Sequence, residues 1–138
     1  MRYLLDANAV IALLTNRPAG VRERFRGTVA AGDSVALPSV VLFELWYGVA
    51  RSQRRQENAQ RLRVFLSSVV EIVPFEEDDA AIAGDLRAAL EAEGTPIGPH
   101  DLLIGAQALR LRARLVTANV SEFGRIKGLD WQDWSSGG

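Results

Sequence analysis

The sequence predicts an α/β fold with a short central parallel sheet in three layers, α/β/α. Two observations predict it. Short apolar runs at residues 2–6, 34–37, 70–73 and 114–117 alternate with longer stretches of helical periodicity. Those runs are apolar nearly throughout, the pattern of strands buried on both faces of a parallel sheet. With 138 residues the chain is long enough for one domain with its own core. That domain is placed at residues 1–134, with a flexible tail at 135–138.

RYLLD at 2–6 is the first strand, and Asn8 is read as the cap of a helix over AVIALL. Residues 18–31 are helical, with Pro18 near the start and Gly32 just past the end. SVAL at 34–37 is the second strand, closed by Pro38. Ser39 is read as the cap of SVVLFELWYGVA, which is apolar almost all round and so expected to be buried on more than one side. Residues 53–69 continue helical, with Leu62, Phe65, Leu66 and Val69 at i, i+3, i+4 and i+7. VEIV at 70–73 is the third strand. EEDD at 76–79 places acid at a helix N-terminus, where the dipole favours it. Ile82, Leu86 and Leu90 form that helix's apolar stripe, and Gly94 ends it. Pro99 opens the helix HDLLIGAQALRL, and RLVT at 114–117 is the fourth strand. Residues 118–128 are loop or short helix, and 128–134 adds an edge strand.

Composition excludes several classes. Cysteine is absent, which removes disulfides and thiolate metal sites. Asp6 interrupts the first apolar run, so no signal peptide is read, and no run reaches the ~20 residues of a membrane span. A cytoplasmic protein with no membrane partner is expected. The net charge of −1 argues against binding nucleic acid by bulk charge. Such a partner must be held by a local basic patch or by bound metal. The stretch RSQRRQENAQRLR supplies one candidate patch, with Arg51, Arg54 and Arg61 able to share a helical face; a solvated surface is the plainer reading.

Oxygen-bearing side chains stand in unusual places. Asp6 ends the first strand, Glu44 is the single acid of the apolar helix after the second, and Asp101 lies in the first turn of the apolar helix before the fourth. Thr117 ends that fourth strand and Asn119 follows it. In folds of this class ligands gather beyond the carboxyl ends of the strands. An acid buried there without compensation is costly, and several together repel. A divalent cation removes both penalties, and Mg²⁺ or Mn²⁺ takes oxygen ligands. Water on such a cation loses a proton more readily and can attack a phosphodiester in line.

Each residue also has a plainer role. Asp6 can cap the next turn, Glu44 can pair with an arginine such as Arg87, and Asp101 can act as an ordinary helix N-terminal acid. Asn8 can be a cap and Thr117 a strand residue. His100, the one histidine, is not read as a general base. Trp46 and Tyr47 are read as core or protein-contact residues.

The stretches YLLDANAVIALL, SVVLFELWYG, GTPIGPHDLLIGAQAL and LVTANVSEFGRIKGLDWQDW occur in one order across nearly the whole chain. In this the sequence resembles the PIN-domain family and, within it, the VapC-type toxins of bacterial toxin–antitoxin pairs. The resemblance implies a PIN-like fold and a Mg²⁺- or Mn²⁺-dependent endoribonuclease leaving a 5′-phosphate and a 3′-hydroxyl. It implies a homodimer, and a cognate VapB-type antitoxin that blocks the site in a larger hetero-oligomer. Asp6, Glu44 and Asp101 match the family's metal-holding acids. Asn119 matches a fourth position that is often Asp, and as an amide it contributes no charge. Asn8 and Thr117 match supporting polar positions. Two rivals remain: a non-catalytic RNA- or protein-binding module on the same scaffold, and a phosphatase using Asp6 as nucleophile. The latter requires a second Asp two residues on, where this chain has Asn8.

Overall fold

The computed structural model describes residues 1–68 and 70–135. Its five strands are β1 (Arg2–Leu5), β2 (Ser34–Pro38), β3 (Val70–Val73), β4 (Arg114–Val116) and β5 (Trp131–Gln132). They form one sheet in the order β3-β2-β1-β4-β5, every pair parallel. Leu4 pairs with Ala36 on one side and Leu115 on the other. Leu4, Leu5, Leu37 and Leu115 have no exposed surface, as strands covered on both faces require. Each such leucine contributes roughly 1.5–3 kcal/mol by burial.

The connecting helices are α1 (Ala7–Thr15), α2 (Ala19–Ala30), α3 (Ser39–Ala50), α4 (Arg55–Leu66), α5 (Glu77–Ala92), α6 (Pro99–Leu111) and the single turn α7 (Val120–Phe123). α1 packs on α2, α3 and α4, while α5 packs along α6. Val10, Val41, Leu62 and Ile104 carry the helical side of the core. α5 and α6 are joined by an ion pair: Asp79, fully buried, accepts from the Arg110 guanidinium, with Nη2 at 3.0 Å from Oδ2. Asp79 also closes a capping box with Glu76. The acidic start of α5 is therefore both a cap and a link between helices.

Several local expectations are corrected. Asp6, not Asn8, caps α1: its carboxylate accepts from the Ala9 N–H at 2.9 Å, and Asn8 lies exposed within the helix. Ser39 is not the cap of α3 but its first residue, after Pro38 at the N-cap with no side-chain cap; the Ser39 hydroxyl instead accepts from the Phe75 N–H at 3.2 Å. α3 is not buried on several sides. Val41 and Leu45 face the core, while Phe43 and Tyr47 are each 58% exposed. Trp46 packs against the core beneath Arg63, and Tyr47 lies under Arg51. The helix expected over 53–69 is present but shorter: α4 begins at Arg55 and ends at Leu66, and Val69 lies outside the described residues. In the α5 stripe Leu90 is buried, with Ile82 and Leu86 half-buried. Residues 136–138 of the expected tail also lie outside the described residues.

Candidate carboxylate site

The order of the strands fixes where a site can form. From β1 the chain steps one way through β2 to β3, and then returns to β4 on the other side of β1. The crevice beyond the carboxyl ends of β1 and β4 is the switch point at which open parallel sheets hold ligands. Asp6 and Thr117 stand one residue past those two strands. The Asp6 N–H donates to the Val116 carbonyl at 3.1 Å, which ties the end of β1 to the end of β4.

Asp6 is 5% exposed. Burial raises its pKa above the usual carboxylate value. The Thr117 hydroxyl and the Ala9 N–H, both donating to it, work the other way, while the charges of Glu44 and Asp133 push it up further. α3 brings Glu44 to the same crevice, where its Oε2 lies 3.4 Å from His100 Nδ1. The His100 ring meets Phe43 edge-on at 5.8 Å.

Asp101, in the first turn of α6, is the most perturbed acid. Desolvation, the hydrogen bond with Glu122 and the charges of Glu122, Glu44 and Asp6 raise its pKa to about 7. Glu122 moves the opposite way, lowered first by the hydrogen bond from Asp101 and then, against some desolvation, by those from Asn119 and Gly98. Asp101 thus keeps the proton and Glu122 the charge. The Asn119 amide nitrogen donates to Asp101 Oδ2 at 3.2 Å and to Glu122 Oε2 at 3.1 Å. The Gly98 N–H donates to Glu122 Oε1 at 3.2 Å. α7 holds this arrangement, and Gly124 closes it: a Cβ there would stand 2.5 Å from the Val120 carbonyl oxygen.

Glu122 was not among the residues singled out from the sequence. Its signal was an acid three residues after Asn119, a spacing that brings two side chains together only if the stretch is helical. Asp133, just past β5, was missed for the same kind of reason. Arg51, Arg54 and Arg61 do not share a helical face. Arg51 follows the last residue of α3, and Arg54 precedes α4 and pairs with Glu57. Arg87 pairs with Glu91, so it is not the partner of Glu44. Asn8 borders a cavity that Thr117 also lines, and Thr117 supports Asp6 directly.

The donor set suits a hard divalent cation: oxygen ligands, two buried carboxyl groups, Asp6 and Asp101, raised by burial and neighbouring charge, and an amide carbonyl. Each acid nevertheless turns to its own partner, Asp6 to Thr117, Glu44 to His100, and Asp101 to Glu122. Among the described residues no three acids or histidines are gathered closely enough to hold an ion as they stand. Closing around one requires side-chain rotation, with loss of the Asp101 proton.

Comparison with known proteins gives one family. The PIN domain model matches residues 3–129. The chain is 37% identical over 134 residues to a ribonuclease VapC2 of Rickettsia felis, covering 97% of this chain and 98% of that protein. It is 35% identical over 135 residues to a tRNA(fMet)-specific endonuclease VapC of Shigella flexneri, covering 98% and 99%. Among solved structures, a chain of VapBC2 from Rickettsia felis bound to a promoter DNA fragment superposes with a TM-score of 0.90 at 36% identity, covering 97% of this chain and 99% of that one. VapBC-1 from nontypeable Haemophilus influenzae gives 0.85 at 34% identity, covering 99% and 100%. On the matched family model, the relatives and the parallel sheet with its carboxylate crevice, this chain belongs to the PIN domain family.

Proposed function

We propose that the chain is a Mg²⁺- or Mn²⁺-dependent endoribonuclease, the toxin of a toxin–antitoxin pair, which hydrolyses RNA phosphodiester bonds until a VapB-type antitoxin covers the site. One observation carries the reading: Asp6, Glu44, Asp101 and Glu122 come to one crevice at the switch point of the sheet, where burial first and then neighbouring charges raise Asp6 and Asp101 while hydrogen bonds lower Glu122. The ribonuclease and endonuclease names of its relatives support the activity. The VapBC complexes among its structural neighbours support the antitoxin.

Asp6, Glu44 and Asp101 would hold the cation, with Asn119 and Glu122 beside them. The cation supplies charge neutralisation at the scissile phosphate and a more acidic water. Asp101, whose pKa is raised to about 7, would have to be ionised to hold the cation, so binding would weaken as the pH falls below about 7. The Thr117 hydroxyl and Ala9 N–H fix Asp6, while the Asn119 amide keeps Asp101 and Glu122 in register. His100 orients Glu44 and is not assigned proton transfer.

An apolar cavity of about 270 Å³ between α1, α3 and α4, walled by Ile11, Leu14, Leu45 and Val49 with Glu44 and Arg61 also lining it, is the surface assigned to the antitoxin. Residues 1–134 act as one domain, as a homodimer in the cytoplasm; no helix among the described residues is long and apolar enough to cross a membrane.

The test is cleavage of total RNA by the purified chain with Mn²⁺, with EDTA, and with Asp101→Ala, mapping the 5′ ends. Discrete cuts that need both metal and Asp101 are expected. Absence of cuts from a folded, Mn²⁺-bound protein would leave the binding-module reading in its place. That rival is favoured only by Asn119, an amide where the family pattern often carries an acid.

A further inference from the structure

The loop that leads into α6 is tied to α7 and the turn after it at two points. The Gly98 N–H donates to Glu122 Oε1 at 3.2 Å, and Arg125 Nη1 donates to the Pro96 carbonyl at 2.8 Å. Gly98 fronts the carboxyl pair directly: a Cβ there would lie 3.8 Å from Glu122 Oε2 and 3.9 Å from Asp101 Oδ2. Bare backbone therefore forms this rim of the crevice. Pro96 lies two residues along it, a span of at most about 7 Å. Arg125 stands exposed at the end of that span.

We propose that Arg125 holds an RNA phosphate at this rim, the one adjoining the scissile phosphate. The proposal rests on the nuclease reading and adds a substrate-binding residue to it. Other arginines fixed by hydrogen bonds spend their charge on a carboxylate: Arg2, Arg54, Arg87, Arg110 and Arg114 each face one. Arg125 is fixed by a neutral carbonyl instead, and makes no ion pair among the described residues. Its charge stays available to an anion. Arg22 is held in the same way by the Leu13 carbonyl, but at the end of α1 away from Asp6.

The crevice needs such a group. RNA brings successive anions to a cluster of acids. Neutralisation at Asp6, Glu44 and Asp101 serves one phosphate, and the next along meets the charge of Glu122 unless a cation stands beside it. Arg125 is near enough to act on Glu122, where its charge adds to the hydrogen bonds, that with Asp101 first, which lower the Glu122 pKa. A guanidinium pinned at one N–H keeps its other donors in a fixed fork, the arrangement that binds phosphate oxygens in pairs. Lys127, two residues on, does not compete for the role, because it reaches back to Glu93 at 3.6 Å.

The experiment measures binding of a short fluorescein-labelled single-stranded RNA to the full chain in EDTA, by anisotropy, over a series of salt concentrations. Arg125→Gln should weaken binding about tenfold, the effect of one charge-assisted hydrogen bond. The slope of log affinity against log salt should become shallower by about 0.7, one single-strand phosphate. Arg125→Lys should keep the wild-type slope and bind less tightly, since it retains the charge and loses the fork. Arg54→Gln, whose guanidinium already faces Glu57, should leave the slope alone. An unchanged slope in Arg125→Gln, an equal change in Arg54→Gln, or wild-type chain that binds no RNA overturns the contact. Mn²⁺ affinity is measured alongside by calorimetry. A loss there in Arg125→Gln with an unchanged RNA slope makes Arg125 a prop for Glu122 and overturns the contact as well. Cleavage is scored separately: the expected slope change without cleavage leaves the contact standing and removes the nuclease, while cleavage without the slope change removes the contact alone.

Discussion

The Asn119 amide donates to Asp101 at 3.2 Å and, from the same nitrogen, to Glu122. This amide adds no charge to the crevice and instead holds two carboxyl groups together as a donor. An acid at 119 would add to the repulsion that already raises Asp101.

Replacing Asp6 with Asn removes a charge from the crevice while keeping the shape of the cap on α1. Cleavage of RNA should fall by at least about 100-fold, the cost of losing one strong electrostatic contact in an active site. Circular dichroism should show the fold retained. An Asp6→Asn chain that cuts at the wild-type rate removes Asp6 from the site.

Glu122→Gln should bring the Asp101 pKa down from about 7, because both the hydrogen bond to Glu122 and the Glu122 charge raise it. The carboxyl carbon of Asp101, followed by NMR in EDTA, reads this directly. An unchanged titration would mean that burial and the charges of Glu44 and Asp6 set the value without Glu122.

Stability of the metal-free chain should depend on pH in a stated direction. Asp101 binds its proton more tightly folded than unfolded, where the value is near 3.8. Between about pH 4 and pH 7 the native state holds more protons, so stability falls as pH rises through that window and levels off above it. Asp6, also raised, acts in the same sense. Glu122, lowered, acts oppositely, losing stability as the pH falls below its unfolded value of 4.5. In calorimetry with EDTA, Asp101→Asn should flatten the slope between pH 5 and pH 7. A slope equal to wild type would contradict the assignment.

Mn²⁺ at about 100 times its dissociation constant should stabilise the wild-type chain by about 2.7 kcal/mol. The gain should be larger at pH 8 than at pH 5, since Asp101 must be ionised to bind. It should vanish in a chain carrying Asp6→Asn and Asp101→Asn together. A melting temperature indifferent to Mn²⁺ at pH 8 would exclude a resident cation.

Arg110→Ala leaves Asp79 buried without its partner, which should cost about 3–5 kcal/mol. Chemical denaturation measures it. The exposed Arg87–Glu91 pair is the control, since Arg87→Ala should cost well under about 1 kcal/mol.

Much of this protein is legible in its sequence because the signals are local. Short apolar runs separated by helical periodicity read as strands, so β1 to β4 and the α/β class follow from pattern, but β3 is not buried on both faces as expected: it lies at the sheet edge, with Glu71 and Ile72 exposed. Asp6, Glu44 and Asp101 stand out because each is an acid among apolar neighbours, where an ionised group is expensive. What was misread depended either on fine local geometry or on contacts between distant segments. Whether Asn8 or Asp6 caps α1 turns on one backbone angle, and whether α3 is covered on two sides depends on which helices reach it. The break at Arg51–Arg54, which separates three arginines from one face, is not marked by any Pro or Gly. Glu122 and Asp133 read as ordinary surface acids. They enter the site only because β4 lies beside β1 and β5 beside β4, and strand order is decided by the packing of the whole chain rather than by any one stretch of it.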